Sequence, residues 1–183
     1  MDRLYTPWRM KYITSTHQKI EGCIFCNKLA AETESDRENF VVYRGRSTFV
    51  MMNIYPYNTG HLMIIPQAHV STLVDAAAEA QFEMMVLATY FTDLLSQLMN
   101  PDGFNLGFNI GRAAGAGIDD HLHLHLVPRW SGDSNFMPVI GETRVLPEEL
   151  GDTYDKIVAA LKQQPPEIPA LFHSRIDSNA GKE

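Results

Sequence analysis

Cysteine is nearly absent from this chain: Cys23 and Cys26 are the only two in 183 residues. A bridge between them would close too small a loop to stabilise a domain of this size. In a cytosolic chain the pair reads instead as half a zinc site or a redox dithiol. Basic charge is also scarce. Lys and Arg total 15 against 22 Asp and Glu, a formal net charge of -7, whereas a general nucleic-acid binder carries a basic field over its phosphate contacts. A small phosphorylated ligand stays compatible, because a local site can be donor-rich within an acidic surface. No apolar run approaches the roughly 20 residues that span a bilayer, so no membrane partner is expected. The segment Met1–Lys11 has two arginines and a lysine but no apolar stretch behind it, which excludes a secretory signal and makes a cytoplasmic location the expectation. Repeats and low-complexity tracts are missing too. What is left is 45% hydrophobic and 20% charged, the composition of one soluble domain with a sizeable core.

Hydrophobic periodicity organises the chain into strands followed by a helix and strands again. A short helix is expected near Cys26–Glu34, and strands over Phe40–Tyr43 and Thr48–Ile54, turning at Gly45. Tyr55-Pro56-Tyr57-Asn58-Thr59-Gly60 is a turn by composition, followed by a strand over His61–Ile65 that Pro66 stops. From Ser71 to Met99 apolar residues recur at three- and four-residue spacing, predicting a long helix that Asn100-Pro101-Asp102-Gly103 ends. Strands over Phe104–Ile110 and Leu122–Val127 flank a small-residue loop, Gly111–Gly117. A last amphipathic helix is expected near Pro147–Lys162. Neighbouring strands with helices set apart indicate an α+β domain on a five-stranded antiparallel sheet. The expected divisions are an N-terminal extension (1–20), the main domain (21–138), a C-terminal helical segment (139–163) and a flexible tail (164–183).

The densest chemistry lies in His121-Leu122-His123-Leu124-His125-Leu126-Val127. On a strand, side chains alternate between faces, so three imidazoles share one face and three leucines the other. The leucines can be buried in a core, which leaves a fixed row of groups that titrate near 6.5 when unperturbed. Such a row suits nucleophilic, acid–base or metal work, and packing alone would not call for it. Just before it, Asn109-Ile110-Gly111-Arg112-Ala113-Ala114-Gly115-Ala116-Gly117 offers backbone N–H groups free of bulky side chains, as a phosphate cradle needs. Taken alone, such a loop is equally a flexible turn.

His-Leu-His-Leu-His-Leu-Val resembles the histidine-triad (HIT) family pattern. The likeness runs from Trp8 to Pro138 through Trp8-Arg9-Met10, Asn53-x-Tyr55-Pro56-Tyr57-Asn58-x-Gly60-His61-Leu62-Met63, Gly103-Phe104-Asn105, Ala114-Gly115 and Trp130-x-Gly132-Asp133-x-Asn135-Phe136. It is nearest to the bacterial diadenosine tetraphosphate phosphorylases, or ATP adenylyltransferases. The resemblance implies His123 as nucleophile on a nucleotide α-phosphate, forming a labile phosphoramidate. It implies His125, when protonated, as the group that stabilises developing charge on the phosphate or leaving group. His121 completes the catalytic row. Substrate contacts would come from Asn53 (a ribose contact, or else a strand-end turn cap) and from Asn109, Gly115, Ala116 and Gly117. Many relatives place a serine or glutamine in that loop, so here it would rely on backbone N–H groups. Phe49, Tyr55 and Trp130 could flank a purine or be core.

The resemblance also bears on the cysteines. Some relatives bind zinc through a matching Cys, Cys, His and first-triad His, here Cys23, Cys26, His69 and His121. That would make His121 a structural ligand and the zinc a structural cofactor, with no organic cofactor needed. The implied substrate is a dinucleoside polyphosphate, the implied acceptor inorganic phosphate, and the implied assembly a homodimer; the alternatives are a dinucleoside polyphosphate hydrolase or nucleoside phosphoramidase of the same family, and a non-catalytic zinc- and nucleotide-binding protein.

Overall fold

The structure is a computed structural model and describes residues 22–133 and 148–168. The expected N-terminal extension, Asn135-Phe136 and most of the expected tail lie outside the described residues. Five strands, β1 (Val41–Arg44), β2 (Thr48–Met52), β3 (Leu62–Pro66), β4 (Gly103–Phe108) and β5 (Leu124–Arg129), form one antiparallel sheet in the order β1-β2-β3-β5-β4. Among the described residues four helices accompany it: α1 (Ile24–Ala30), the short α2 (Asp36–Asn39), α3 (Ala78–Met99) and α4 (Leu150–Gln163). The expected architecture is therefore present, with strand ends displaced by one or two residues. Among the described residues no helix is long and apolar enough to cross a membrane.

The two-residue period sorts the sheet into two buried faces. Val50, Met52, Leu62, Ile64, Leu124 and Leu126 pack against Met84, Leu87, Phe91 and Leu95 of α3 and Ile157 of α4. Val41, Phe49, Met51, Met63 and Ile65 pack on the opposite face around Phe25 of α1. Central strands covered on both sides read as continuous apolar runs, as β2 and β3 do. Leu126 is fully buried, and truncating such a leucine to alanine costs about 2–5 kcal/mol.

Two polar devices hold the periphery. Glu83 of α3, 3% exposed, accepts the Arg46 N–H at 2.8 Å and the Ser47 N–H at 2.6 Å, closing the β1–β2 turn. Arg44 of β1 donates to the carbonyl oxygens of Leu29 (2.6 Å), Lys28 (3.3 Å) and Ala31 (3.1 Å) and pairs with Asp36. It thereby staples the C-terminal end of α1 to the sheet.

Three of the displaced boundaries have a visible cause or shape. The long helix begins at Ala78 and not at Ser71. Thr72 bonds Asp75, and the Gln81 side chain donates to Leu73 and Ala76 carbonyls at 2.8 Å each, so residues 71–77 form a turn whose apolar spacing imitates a helix. Asn100, with φ 47°, ends α3 where expected. The helix expected at Cys26–Glu34 is α1, two residues earlier, followed by a separate 3-10 turn at Thr33–Ser35. β5 starts at Leu124 and not at Leu122, because the His121 carbonyl and the Leu122 N–H are bonded elsewhere.

Candidate active site and metal cluster

Cys23 precedes α1 and Cys26 lies in its first turn, while His69 follows β3 and His121 leads into β5. The fold brings their four donor atoms within 4.8 Å of one another. His121 Nδ1 stands 3.3 Å from Cys23 Sγ and 3.7 Å from Cys26 Sγ, and His69 Nδ1 stands 3.4 Å from Cys26 Sγ. A tetrahedron with metal–ligand bonds of about 2.0–2.3 Å has edges of about 3.3–3.8 Å, and these three spacings match such edges. His121 Nε2–H donates to the Pro66 carbonyl at 2.8 Å, which fixes the tautomer and turns the Nδ1 lone pair to the thiols. Burial, and then the Cys23 sulfur beside it, push the Cys26 thiol up from its ordinary value. A thiol so placed resists deprotonation until a cation joins it. The cluster is able to coordinate a metal ion, as expected from the sequence.

His123 and His125 lie on the Phe25 face of the sheet. His125 sits directly across from Met63 of β3 and Gly107 of β4. Leu122 N–H donates to the Val70 carbonyl at 2.6 Å, and the His121 carbonyl accepts His123 Nδ1–H at 2.8 Å. Those bonds delay the ladder until Leu124. They also fix the His123 tautomer, leaving Nε2 with its lone pair, the form a nucleophile needs. All three imidazoles are at most 9% exposed. Burial holds His121 and His123 below the ordinary value, and burial followed by the nearby His123 lowers His125 to about 4. The sequence pointed to a row titrating near neutrality when unperturbed; in the fold the three rings lie below that value, because desolvation disfavours the charged ring.

A fourth histidine, passed over in the sequence, explains how a neutral His125 can still donate. His61, fully buried, accepts the Tyr57 backbone N–H at Nδ1 (3.0 Å), so its own proton is on Nε2. That nitrogen is 3.0 Å from His125 Nδ1. His125 Nδ1 therefore accepts, and its proton is on Nε2. The Tyr57 ring lies against both, 4.8 Å from His61 and 5.8 Å from His125 between centroids. His61 was legible only as a polar residue opening an apolar strand.

The remaining expected site residues are placed unevenly. Asn109 Nδ2 lies 3.4 Å from His125 Nε2, beside the loop; with the His125 proton on Nε2 two donors face each other, so this approach is a contact and not a hydrogen bond. Gly111 and Gly115 adopt φ of 78° and 86° around a 3-10 turn at Arg112–Ala114, and Arg112 pairs with Asp119 at 2.7 Å across the loop. Ala116 and Gly117 follow in the same loop. Asn53 Oδ1 accepts the Tyr55 N–H at 2.9 Å, the turn-cap geometry, while its Nδ2 is 3.5 Å from His61 Nδ1. Phe49 is core: it has no exposed surface and packs with Phe25, Met51 and Met63, so its ring offers no face to a purine. Trp130 follows the far end of β5, its backbone closed by Asp133. At about 3.3 Å per residue its Cα is roughly 16 Å from that of His125.

A family model for the HIT domain matches residues 34–132. An AP-4-A phosphorylase of Mycobacterium tuberculosis is 37% identical over 169 residues, covering 90% of this chain and 87% of that protein. An adenosine 5'-monophosphoramidase of Saccharomyces cerevisiae is 26% identical over 156 residues, covering 82% of this chain and 93% of its own. Among solved structures, a Zn-bound histidine triad family protein from Mycobacterium smegmatis superposes with a TM-score of 0.62 at 25% identity, covering 78% of this chain and 94% of that one.

Proposed function

Because the chain belongs to the histidine-triad (HIT) family, whose domain spans residues 34–132, we propose that it is a nucleotidyltransferase that splits diadenosine tetraphosphate by phosphorolysis. The observation that carries this reading is the pair of fixed tautomers: a lone pair on His123 Nε2 beside an N–H on His125 Nε2. His123 Nε2 attacks the α-phosphorus, and the bond from that phosphorus to the bridging oxygen breaks. ATP leaves with the bridging oxygen, and AMP stays on His123. The His125 N–H, with Asn109 beside it, donates to the phosphate oxygens as charge develops there, a preorganised neutral donor in a dry site. Inorganic phosphate then attacks the same phosphorus, the N–P bond breaks, and ADP departs. Within the loop from Gly111 to Gly117 the Ala114 and Gly115 N–H groups are taken by the turn, so other backbone N–H groups of the loop meet the polyphosphate, and Asn53 offers its amide to a ribose diol. Cys23, Cys26, His69 and His121 would hold zinc, which supplies no chemistry to the reaction but cross-links the strand that bears the nucleophile. Its working form is a homodimer.

Phosphate as acceptor is favoured by the mycobacterial phosphorylase, similar over nine-tenths of this chain. Water as acceptor is the competing outcome. Product analysis with and without inorganic phosphate separates them: ADP plus ATP formed only with phosphate supports the reading. AMP plus ATP formed equally without phosphate overturns it. A covalent AMP adduct, labile to acid and absent in His123→Ala, is the accompanying expectation.

A further inference from the structure

Phe25 occupies the interior of Cys23-Ile24-Phe25-Cys26, between two ligands of the metal cluster, and is 1% exposed. Its ring meets His121 edge-on, centroids 5.4 Å apart at 88°, and meets His123 at 5.2 Å and 59°. The other ring against His123 is His125, at 4.7 Å and 79°. The His123 imidazole is therefore held between Phe25 and His125, with Nδ1 tied to the His121 carbonyl at 2.8 Å. Two of these three restraints, Phe25 and His121, belong to segments that carry metal ligands. The far end of α1 is secured independently by Arg44. The Cys23–Cys26 end of α1 lies at the metal cluster, while its far end is held to the sheet without it.

We propose that Phe25 is a positioning residue through which the metal cluster sets the orientation of the His123 ring. The proposal rests on His123 being the nucleophile. Phe25 touches no reacting atom. It transmits the placement of the cluster to the ring as a rigid contact, and a shift of the order of 1 Å in an attacking group can lower the rate about a hundredfold. A purely space-filling Phe25 would affect stability and leave the His123 ring as it was.

The test uses the zinc-loaded full-length protein, its chelated form, and Phe25→Leu, with Phe25→Met as the more volume-conserving variant should the first fail to fold. Elemental analysis reports the metal, steady-state kinetics with diadenosine tetraphosphate reports kcat and KM, and proton–nitrogen correlation at pH 8 reports the tautomer of the His123 ring. The expected result is full zinc occupancy in the variant, KM within about twofold, and kcat lower by about tenfold or more. The His123 signals should change from one Nδ1–H tautomer to a mixture. Chelation of the wild type should give the same changes, and chelation of the variant should add nothing further, as expected of two perturbations on one path. Unchanged ring signals with kcat within twofold of wild type overturn the proposal, as do losses that multiply. Should the wild type turn over no dinucleotide, the functional reading fails, while the ring signals still decide the role of Phe25.

Discussion

Replacing His61 by alanine tests the tautomer chain directly. The substitution removes the hydrogen bonds from Tyr57 N–H to His61 Nδ1 and from His61 Nε2–H to His125 Nδ1, each at 3.0 Å, together with the Asn53 contact at 3.5 Å. It leaves His125 Nδ1 in a buried site without its donor, at a cost of about 1–3 kcal/mol. The vacated ring volume adds a cavity term of similar size, so the stability loss is expected at about 3–5 kcal/mol. Catalysis suffers separately. Without His61 the His125 proton is no longer fixed on Nε2, and loss of one preorganised donor lowers kcat by about 10²–10³. His61→Gln keeps both functions in one amide, accepting from Tyr57 through oxygen and donating to His125 through nitrogen, and is expected to recover part of the rate. Urea denaturation gives the first quantity and rapid-quench phosphorolysis the second. Turnover by His61→Ala within threefold of wild type, or no advantage of the glutamine over the alanine, refutes the assignment.

Acid should weaken the fold through His125. Its folded pKa of about 4 lies below the ordinary 6.5 of the unfolded chain, so the unfolded state binds the proton first. Stability is complete above pH 6.5 and falls as pH descends to 4, by up to ~3 kcal/mol. Denaturant midpoints at pH 7 and 4.5 should converge in His125→Asn relative to wild type, and equal pH slopes would contradict this. Glu83→Gln puts an amide NH2 against one of two turn N–H donors, and calorimetry should register a loss of about 2 kcal/mol. Chelation should lower the melting temperature by the metal's binding contribution, about 2.7 kcal/mol at a free ion concentration a hundredfold above Kd. A chelated protein that melts at the same temperature would contradict the four-ligand cluster.

The alternating leucines made the triad strand and its buried face legible, because burial on a sheet obeys the same period as the side chains. The four ligand residues were legible as chemistry, since thiol pairs and imidazoles form a short menu of donors. The state of the histidines was not. The depressed values follow from neighbours on β3 and α1 that sequence spacing does not place beside them, as Phe25 against His121 and His123 illustrates. His61 escaped for a related reason: its partners, the Tyr57 N–H and His125, are joined by the fold. The false start of α3 at Ser71 shows the converse, since Leu73 and Val74 match a helical period yet Val74 is 94% exposed. Phe49 shows that an aromatic near a ligand motif can be simply core.

The sheet order has a consequence for how the molecule comes into being. β1, β2 and β3 pair with near neighbours in the chain, but β4 gains a partner only when β5 enters between it and β3. The same entry joins His61 to His125 across 64 positions and Cys23 to His121 across 98. Contacts so far apart in sequence are slow to form, because the loop must close before they reward it. A nascent chain still holding residue 125 in the ribosome can have its first hairpin and its long helix, but it lacks the third histidine of the triad strand and the paired set of metal ligands. On the proposed reading, reactivity towards nucleotides would arrive in one step with the last strand.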